Sequence, residues 1–403
     1  IQLKRRIRRR SSGYSHIINK LTTQGTKEIA RNLNKAPMPG FCCIGITDYC
    51  FFKCKMCDKW KEDIKVIKGT HRPNLEQYKQ FIRDLAHLVK ENLIGPIDGR
   101  FTLNFAGGEA LTHAMTIPLI EYASKVGFKT LIATNGFMLN EHMIKRLKNA
   151  NLTSLSISLD SLDPKIHDSL RGYIGATDGV MKALEILKKY EYPKVGICSI
   201  INKQTYSGIP KLIDWSRKHK VVEWLYFMAV MQPNNTVFQS GWYKLNHFNY
   251  LWEEKSEKVV KMIDYIINQK VLDEKYIKEL KLNQSLLTNT FPQLKAFRDY
   301  FSKPEKFVKN NHSCNMDKGI QTTEVGDIFM CFHKNRIGNI REDRLIDVWN
   351  NYKTDQIRDN IKSCTTNCHT LLNCYYENDY PFDMIKKAKK KIVLRDPIKI
   401  NTK

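Results

Sequence analysis

Three cysteines stand within eight residues, Cys50-Phe-Phe-Lys-Cys54-Lys-Met-Cys57, in a Cys-x3-Cys-x2-Cys loop. Thiolates gathered this way can each take one iron of a cubane [4Fe–4S] cluster, whose sites ordinarily take one Cys apiece. The fourth iron is then open to a substrate or cofactor, as the fourth position of a catalytic zinc is. Taken alone, the loop also allows a zinc knuckle or a four-cysteine cluster completed from afar. Five more cysteines, Cys314, Cys331, Cys364, Cys368 and Cys374, gather in the last hundred residues. They suffice for one fully Cys-ligated cluster with a thiol over, or for a zinc site. Cys42, Cys43 and Cys198 fall in apolar runs and read as small core residues. An odd total of eleven favours metal or catalysis over disulfides.

Such a loop must be positioned by regular elements. The run 41–47, FCCIGIT, reads as a buried strand ending where the cysteine loop begins. A helix follows, opened by the capping pair Asn74 and Gln77, with Leu75, Tyr78, Phe81, Ile82, Leu85, Leu88 and Val89 on one face. The alternation then repeats: strand 100–105, helix 116–126 closed by Gly127, strand 129–133, helix 140–149, strand 153–159, helix 177–190, strand 195–201, helix 207–219, strand 223–230. Apolar strands alternating with helices require a parallel sheet with right-handed crossovers. About six such units predict an α/β fold, a partial (β/α)6 TIM-like barrel whose chemistry lies on the loops after the strands. The strandless stretch from 232 to 312 reads as a helical connector, with helices at 253–270 and 274–302, and 313–383 as a small cysteine-rich C-terminal domain held by metal. The barrel then occupies 41–231, flanked by a basic extension, 1–40, and a basic tail, 384–403.

The residues at the strand ends complete a pattern. Phe105-Ala-Gly107-Gly108-Glu109 follows the second strand, Thr134-Asn135-Gly136 closes the third, and Ser158-Leu-Asp160-Ser closes the fourth, with His167-Asp168 and Arg171-Gly172 beyond. With the cysteine loop after the first strand, this series resembles the radical S-adenosylmethionine (radical SAM) enzymes. The resemblance implies a catalytic [4Fe–4S] cluster on Cys50, Cys54 and Cys57 and S-adenosylmethionine as cosubstrate on the open iron. In that family the cosubstrate is cleaved reductively to a 5′-deoxyadenosyl radical, which abstracts hydrogen from the substrate. By the same resemblance, Gly107, Gly108 and Glu109 meet the methionine amino group and Ser158 and Arg171 hold its carboxylate. Asp160 is expected near the ribose, as is Asn202, for which a turn-capping role is the alternative. Thr134 and Asn135 join the cosubstrate site, and Met56 faces the adenine, where the family often carries an aromatic residue. The glycine-rich element usual on the fifth strand is not evident in 196–202.

Behind the barrel, Gly326-x4-Cys331, the Ile337-Gly338-Asn339 turn, Val348-Trp349 and the Cys364-x3-Cys368-x5-Cys374 triplet resemble the SPASM and twitch auxiliary-cluster domains. Five cysteines imply one auxiliary [4Fe–4S] cluster on Cys314, Cys331 and two of Cys364, Cys368 and Cys374. Sulfatase-maturing relatives carry an Asp after the equivalent of Cys331; here stand Phe332 and His333, so that activity is not expected.

The net charge of +25 is concentrated at the ends, +9 in residues 1–40 and +7 in 384–403, leaving +9 for the rest. A mildly basic body does not favour nucleic acid as partner, although the tails could grip phosphates in an RNA-modifying relative. No apolar stretch approaches about eighteen residues and no apolar segment follows the N-terminal charges, so neither a membrane span nor secretion is expected, and a cytoplasmic location is. The expected substrate is a peptide or a small sugar or alcohol, and the expected electron donor is a flavodoxin or ferredoxin. The rival without catalysis is a binding protein with purely structural metal sites.

Overall fold

The computed structural model describes residues 36–61, 71–90, 101–232, 239, 241–280, 285–306, 315–364 and 372–373. Cys314, Cys368 and Cys374, most of the N-terminal extension and the whole C-terminal tail fall outside these residues.

Six strands, β1 (Phe41–Thr47), β2 (Thr102–Gly107), β3 (Lys129–Thr134), β4 (Ser154–Ser158), β5 (Lys194–Ile201) and β6 (Val222–Ala229), pair in sequential order, every pair parallel. The helices between them are α1 (Leu75–Lys90), α2 (Thr116–Val126), α3 (Glu141–Asn149), α4 (Pro164–Arg171), α5 (Ala176–Tyr190) and α6 (Ile209–Lys218). This is the expected partial barrel. The local signals act as read: the Asn74 amide donates to Gln77 Oε1 at 2.8 Å and the Gln77 amide to Asn74 Oδ1 at 2.9 Å. The stripe Tyr78, Phe81, Ile82, Leu85, Leu88 and Val89 is buried against the sheet, each aliphatic side chain contributing about 1.5–3 kcal/mol. Gly127 ends α2 with φ of 108°.

Two features depart from expectation. Helix α4 was not legible as a helix, although Asp163 caps it by accepting from the Lys165 amide at 2.9 Å and Pro164 occupies its first turn. It carries His167 and Arg171. In the connector, one helix, α7 (Ser256–Leu280), runs through the expected break. The second, α8 (Phe291–Ser302), begins at 291 and not at 274, because Thr290 caps it by accepting from the Gln293 amide and Pro292 lies in its first turn. The segment before α8 runs beside β6: the Leu225 amide donates to Leu286 O at 2.7 Å and the Thr288 amide to Leu225 O at 3.1 Å.

The C-terminal segment adds its own strands to the barrel sheet. Its strands β7 (Gly319–Thr322), β8 (Asp327–Phe329) and β9 (Gly338–Asn339) extend the barrel sheet beyond β1, giving the order β6-β5-β4-β3-β2-β1-β7-β8-β9. β7 lies parallel to β1, Phe41 opposite Gly319 and Ile44 opposite Thr322, and β8 and β9 follow antiparallel. Two short helices, α9 (Leu345–Trp349) and α10 (Tyr352–Lys362), complete the segment. Arg344 ties it to α1 through a bidentate pair with Asp84, Nη2 to Oδ1 at 2.6 Å and Nε to Oδ2 at 2.9 Å.

Candidate functional site

The loops after β1–β6 surround a cavity of about 270 Å³, at the end of the strands where α/β barrels carry their chemistry. Cys50, Cys54 and Cys57 all line it. Burial pushes the Cys50 thiol up to about 11 and raises Cys54 and Cys57 as well, with Arg171 opposing burial at Cys54. Such thiols are protonated at neutral pH until a metal displaces the proton. Among the described residues, no three His, Cys, Asp or Glu side chains are close enough to share one metal ion; a cubane instead distributes its thiolates over separate irons. Of the three cysteines expected in the core, Cys42 is fully buried, whereas Cys43 and Cys198, whose thiols burial pushes up to about 12, are half-buried.

The loop is held in place through backbone. A Cβ on Gly107, at φ of 136°, would lie 2.1 Å from Thr47 O, and one on Gly108 would lie 2.3 Å from Tyr49 O. The Gly108 amide donates to Thr47 O at 2.5 Å and the Glu109 amide to Tyr49 O at 2.8 Å. The two glycines therefore admit the chain that leads into the cysteine loop, besides lining the cavity themselves.

Glu109 is 1% exposed. Its Oε1 accepts from Thr134 Oγ1 at 2.9 Å and from the Leu111 amide at 3.3 Å, and its Oε2 accepts from the Asn135 amide at 2.9 Å. These partners are neutral, so burial raises its pKa above the usual carboxylate range despite the hydrogen bonds. Asn135 Oδ1 accepts from the Phe137 amide at 2.9 Å, while its buried Nδ2 has no partner. Glu109, Thr134, Asn135, Ser158, Arg171 and Met56 all face the cavity.

Asp160 and Asn202 are not among its lining residues. Arg171 Nε donates to Asp160 Oδ2 at 2.7 Å, and Asp160 Oδ1 accepts from the Ile200 amide at 3.0 Å, so Asp160 ties Arg171 to β5 from behind the wall. His167 Nδ1 accepts from the Asp160 amide at 3.1 Å; burial first, then the charge of Arg171, pushes this imidazole down to about 4, and it is neutral. Asn202 caps the turn after β5, its Oδ1 accepting from the Gln204 amide at 2.8 Å and the Thr205 amide at 3.2 Å. Asp168 serves the α4–α5 turn, accepting from the Gly175 and Thr177 amides.

Residues 44–216 match the Radical SAM superfamily, and residues 314–375 match an iron–sulfur cluster-binding domain, SPASM. The chain carries a radical SAM domain followed by a SPASM domain. The first implies a [4Fe–4S] cluster and S-adenosylmethionine, the second auxiliary iron–sulfur clusters. AdoMet-dependent heme synthase of Methanosarcina barkeri is 25% identical over 186 residues, 45% of this chain and 50% of the relative. The antilisterial bacteriocin subtilosin biosynthesis protein AlbA of Bacillus subtilis is 28% identical over 171 residues, 42% of this chain and 34% of the relative. The chain thus spans half or less of these curated relatives. In fold it resembles Streptococcus suis SuiB, solved with the precursor peptide SuiA, with a TM-score of 0.58 and 17% identity over 90% of this chain and 77% of that one. No helix among the described residues is long and apolar enough to cross a membrane.

Sequence reasoning missed several residues around the radical SAM cavity. Lys59 and Trp60 line it just past the cysteine loop, the indole Nε1 donating to Cys54 O at 3.2 Å. Met228, Val230, Met231 and Gln232 contribute the end of β6 and the chain after it; their position at a strand end was the available signal. Asn373 reaches the same wall from the SPASM domain, and nothing local in the sequence points to it.

Proposed function

We propose that this chain is a radical SAM enzyme of oxidoreductase type, acting on a peptide substrate in preference to a small sugar or alcohol. One observation carries the reading: a single cavity is lined by the three cysteines of the Cys-x3-Cys-x2-Cys loop together with Glu109, Asn135, Ser158 and Arg171. Its donor set suits both groups. Three thiols suit a cubane with one iron left open, and a buried carboxylate with neutral partners gains from an ammonium ligand. The unpaired Asn135 amide offers a donor, and Arg171 a fixed cation for a carboxylate.

When bound, the reduced cluster and S-adenosylmethionine together supply the 5′-deoxyadenosyl radical that abstracts substrate hydrogen. Cys50, Cys54 and Cys57 hold the cluster as thiolates. Glu109, with Gly107 and Gly108, receives the methionine ammonium, and Ser158 and Arg171 hold its carboxylate. Thr134 orients Glu109 and Met56 packs toward the adenine. Asp160 acts by positioning Arg171, and Asn202 by shaping the turn after β5. In the SPASM domain, Cys314 and Cys331 with two of Cys364, Cys368 and Cys374 would hold an auxiliary cluster, which would supply a site for electron transfer, from the substrate or to the partner reductant. A cytoplasmic flavodoxin or ferredoxin supplies the reducing electron.

The peptide preference is supported by the fold shared with SuiB, whose solved complex contains a precursor peptide, and by sequence similarity to AlbA. The test is anaerobic reconstitution with iron and sulfide, reduction in the presence of S-adenosylmethionine, and assay for 5′-deoxyadenosine. The product is expected from the native chain and not from Cys54→Ala; a chain that binds iron yet never yields it overturns the reading.

A further inference from the structure

Two sulfurs of the cysteine loop accept hydrogen bonds from amides two residues further along the chain. The Phe52 amide donates to the Cys50 sulfur and the Lys59 amide to the Cys57 sulfur. The two amides are held differently. Phe52 is buried, its ring stacked on Tyr173 with centroids 4.5 Å apart. Lys59 opens the short helical turn Lys59–Lys61, in which no residue is buried, so core packing does not fix its backbone. Its side chain does.

Lys59 Nζ donates to Asp48 Oδ1, just past the end of β1. Asp48 is buried, and it also bonds to Glu324 on the turn between β7 and β8, with Arg72 as the further cation facing it. The Glu324 turn is closed by its own backbone: the Thr323 amide donates to Asp327 O and the Gly326 amide to Thr323 O, each at 3.0 Å. It is seated on the barrel, because β7 pairs in parallel with β1 and a Cβ on Gly45 would lie 2.4 Å from Thr322 O. A continuous series of contacts therefore runs from the SPASM domain to the cysteine loop, through Glu324, Asp48, the Lys59 ammonium and the Lys59 amide, and ends on the Cys57 sulfur.

We propose that Lys59 is a positioning residue for the catalytic cluster and that Glu324 of the SPASM domain holds it in place through Asp48. The proposal rests on the reading that Cys50, Cys54 and Cys57 hold that cluster. Hydrogen bonds to ligating sulfurs tune the potential of an iron–sulfur centre, and outer partners of metal ligands fix their orientation. With its side chain anchored, Lys59 keeps its amide aimed at Cys57. The SPASM domain thereby influences the catalytic cluster through a polar contact, independently of any metal the domain itself carries.

The test uses the full chain reconstituted anaerobically with iron and sulfide, below pH 7, where Glu324 keeps its proton. The catalytic cluster is identified by the electron paramagnetic resonance signal that shifts when S-adenosylmethionine is added, and its midpoint potential is measured without the cosubstrate. Lys59→Met is expected to alter that signal, to make the potential more negative because a cation beside Cys57 is lost, and to speed amide exchange at position 59 about tenfold or more. Glu324→Ala is expected to move signal and potential in the same direction. The double variant should shift no further than Lys59→Met alone, since Glu324 acts only through Lys59. Glu324→Gln, still a donor to Asp48, should keep the native signal and potential, and Lys61→Met, which removes an exposed charge from the same turn, should leave both unchanged. If Glu324→Ala does not fold, Glu324→Asp, one methylene shorter and so unable to keep the contact, takes its place with the same expectation. A native signal and potential in Lys59→Met overturn the proposal, as does an equal shift in Lys61→Met. Native readings in Glu324→Ala, or a shift in Glu324→Gln as large as that of alanine, overturn the link to the SPASM domain. A native chain in which no cluster signal responds to S-adenosylmethionine overturns the reading beneath it.

Discussion

Arg171 and Asp160 form a buried pair, Nε to Oδ2 at 2.7 Å, in which the cation faces the cavity and the carboxylate stands behind it, fastened to the Ile200 amide. The pair links the end of α4 to β5 and fixes a guanidinium beside Cys54. Removing one partner leaves the other charge buried and alone. Asp160→Ala should therefore cost about 3–5 kcal/mol in urea unfolding, and the double variant Asp160→Ala with Arg171→Met should recover most of that loss. A single variant within about 1 kcal/mol of the native chain rules this account out.

Gly107 and Gly175 both have positive φ, but only Gly107 is crowded: its added Cβ meets Thr47 O at 2.1 Å, whereas nothing lies within 4 Å of one on Gly175. Gly107→Ala should be less stable than Gly175→Ala by about 1–3 kcal/mol, the usual cost of overpacking. Iron uptake by the Cys50–Cys57 loop should fall with it. Equal denaturant midpoints for the two variants count against the close approach of the loop to β2.

His167 is 1% exposed, with its pKa pushed down to about 4 from an ordinary 6.5. Below pH 6.5 the unfolded chain takes up the proton first, so this group's contribution makes stability fall with decreasing pH until the folded value is reached. The full loss is about 3 kcal/mol. His167→Asn, which retains an acceptor for the Asp160 amide, should remove that slope. The check is the difference between the urea stabilities of native and variant chains from pH 7 to pH 4.5; a constant difference sinks the prediction.

Glu324, on the turn between β7 and β8, acts in the opposite sense. Burial and its hydrogen bond to Asp48 push it up to about 7, while Asp48, which also pairs with Lys59, is held below its ordinary value. The folded chain keeps the proton that the unfolded chain releases above pH 4.5, so this contribution to stability is lost as pH rises toward 7. Glu324→Gln, still a donor to Asp48, should be more stable than the native chain at pH 8 and gain nothing at pH 4.5. The comparison of melting temperatures at those two values decides it.

Local chemistry made much of this molecule readable beforehand. The Asn74–Gln77 capping box, the Gly127 stop and the apolar stripe of α1 act over three or four residues, and each appears where its residues stand. The same locality explains the misses. Asp163-Pro164 is a helix start, but eight residues carry too little apolar periodicity to display α4, and the Leu286–Asn289 stretch resembled helix until its partners on β6 were known.

By itself, the sequence determined the six βα units, the cysteine loop after β1 and the motifs at the ends of β2, β3 and β4, because periodicity, caps and spacing are written along the chain. Only the tertiary structure decided that β7 pairs with β1, that Asp160 turns to Arg171 and away from the cavity, and that Asn373 clamps Ala229. Those outcomes depend on which buried donors and acceptors lack partners once distant segments meet, and no local pattern encodes that shortage.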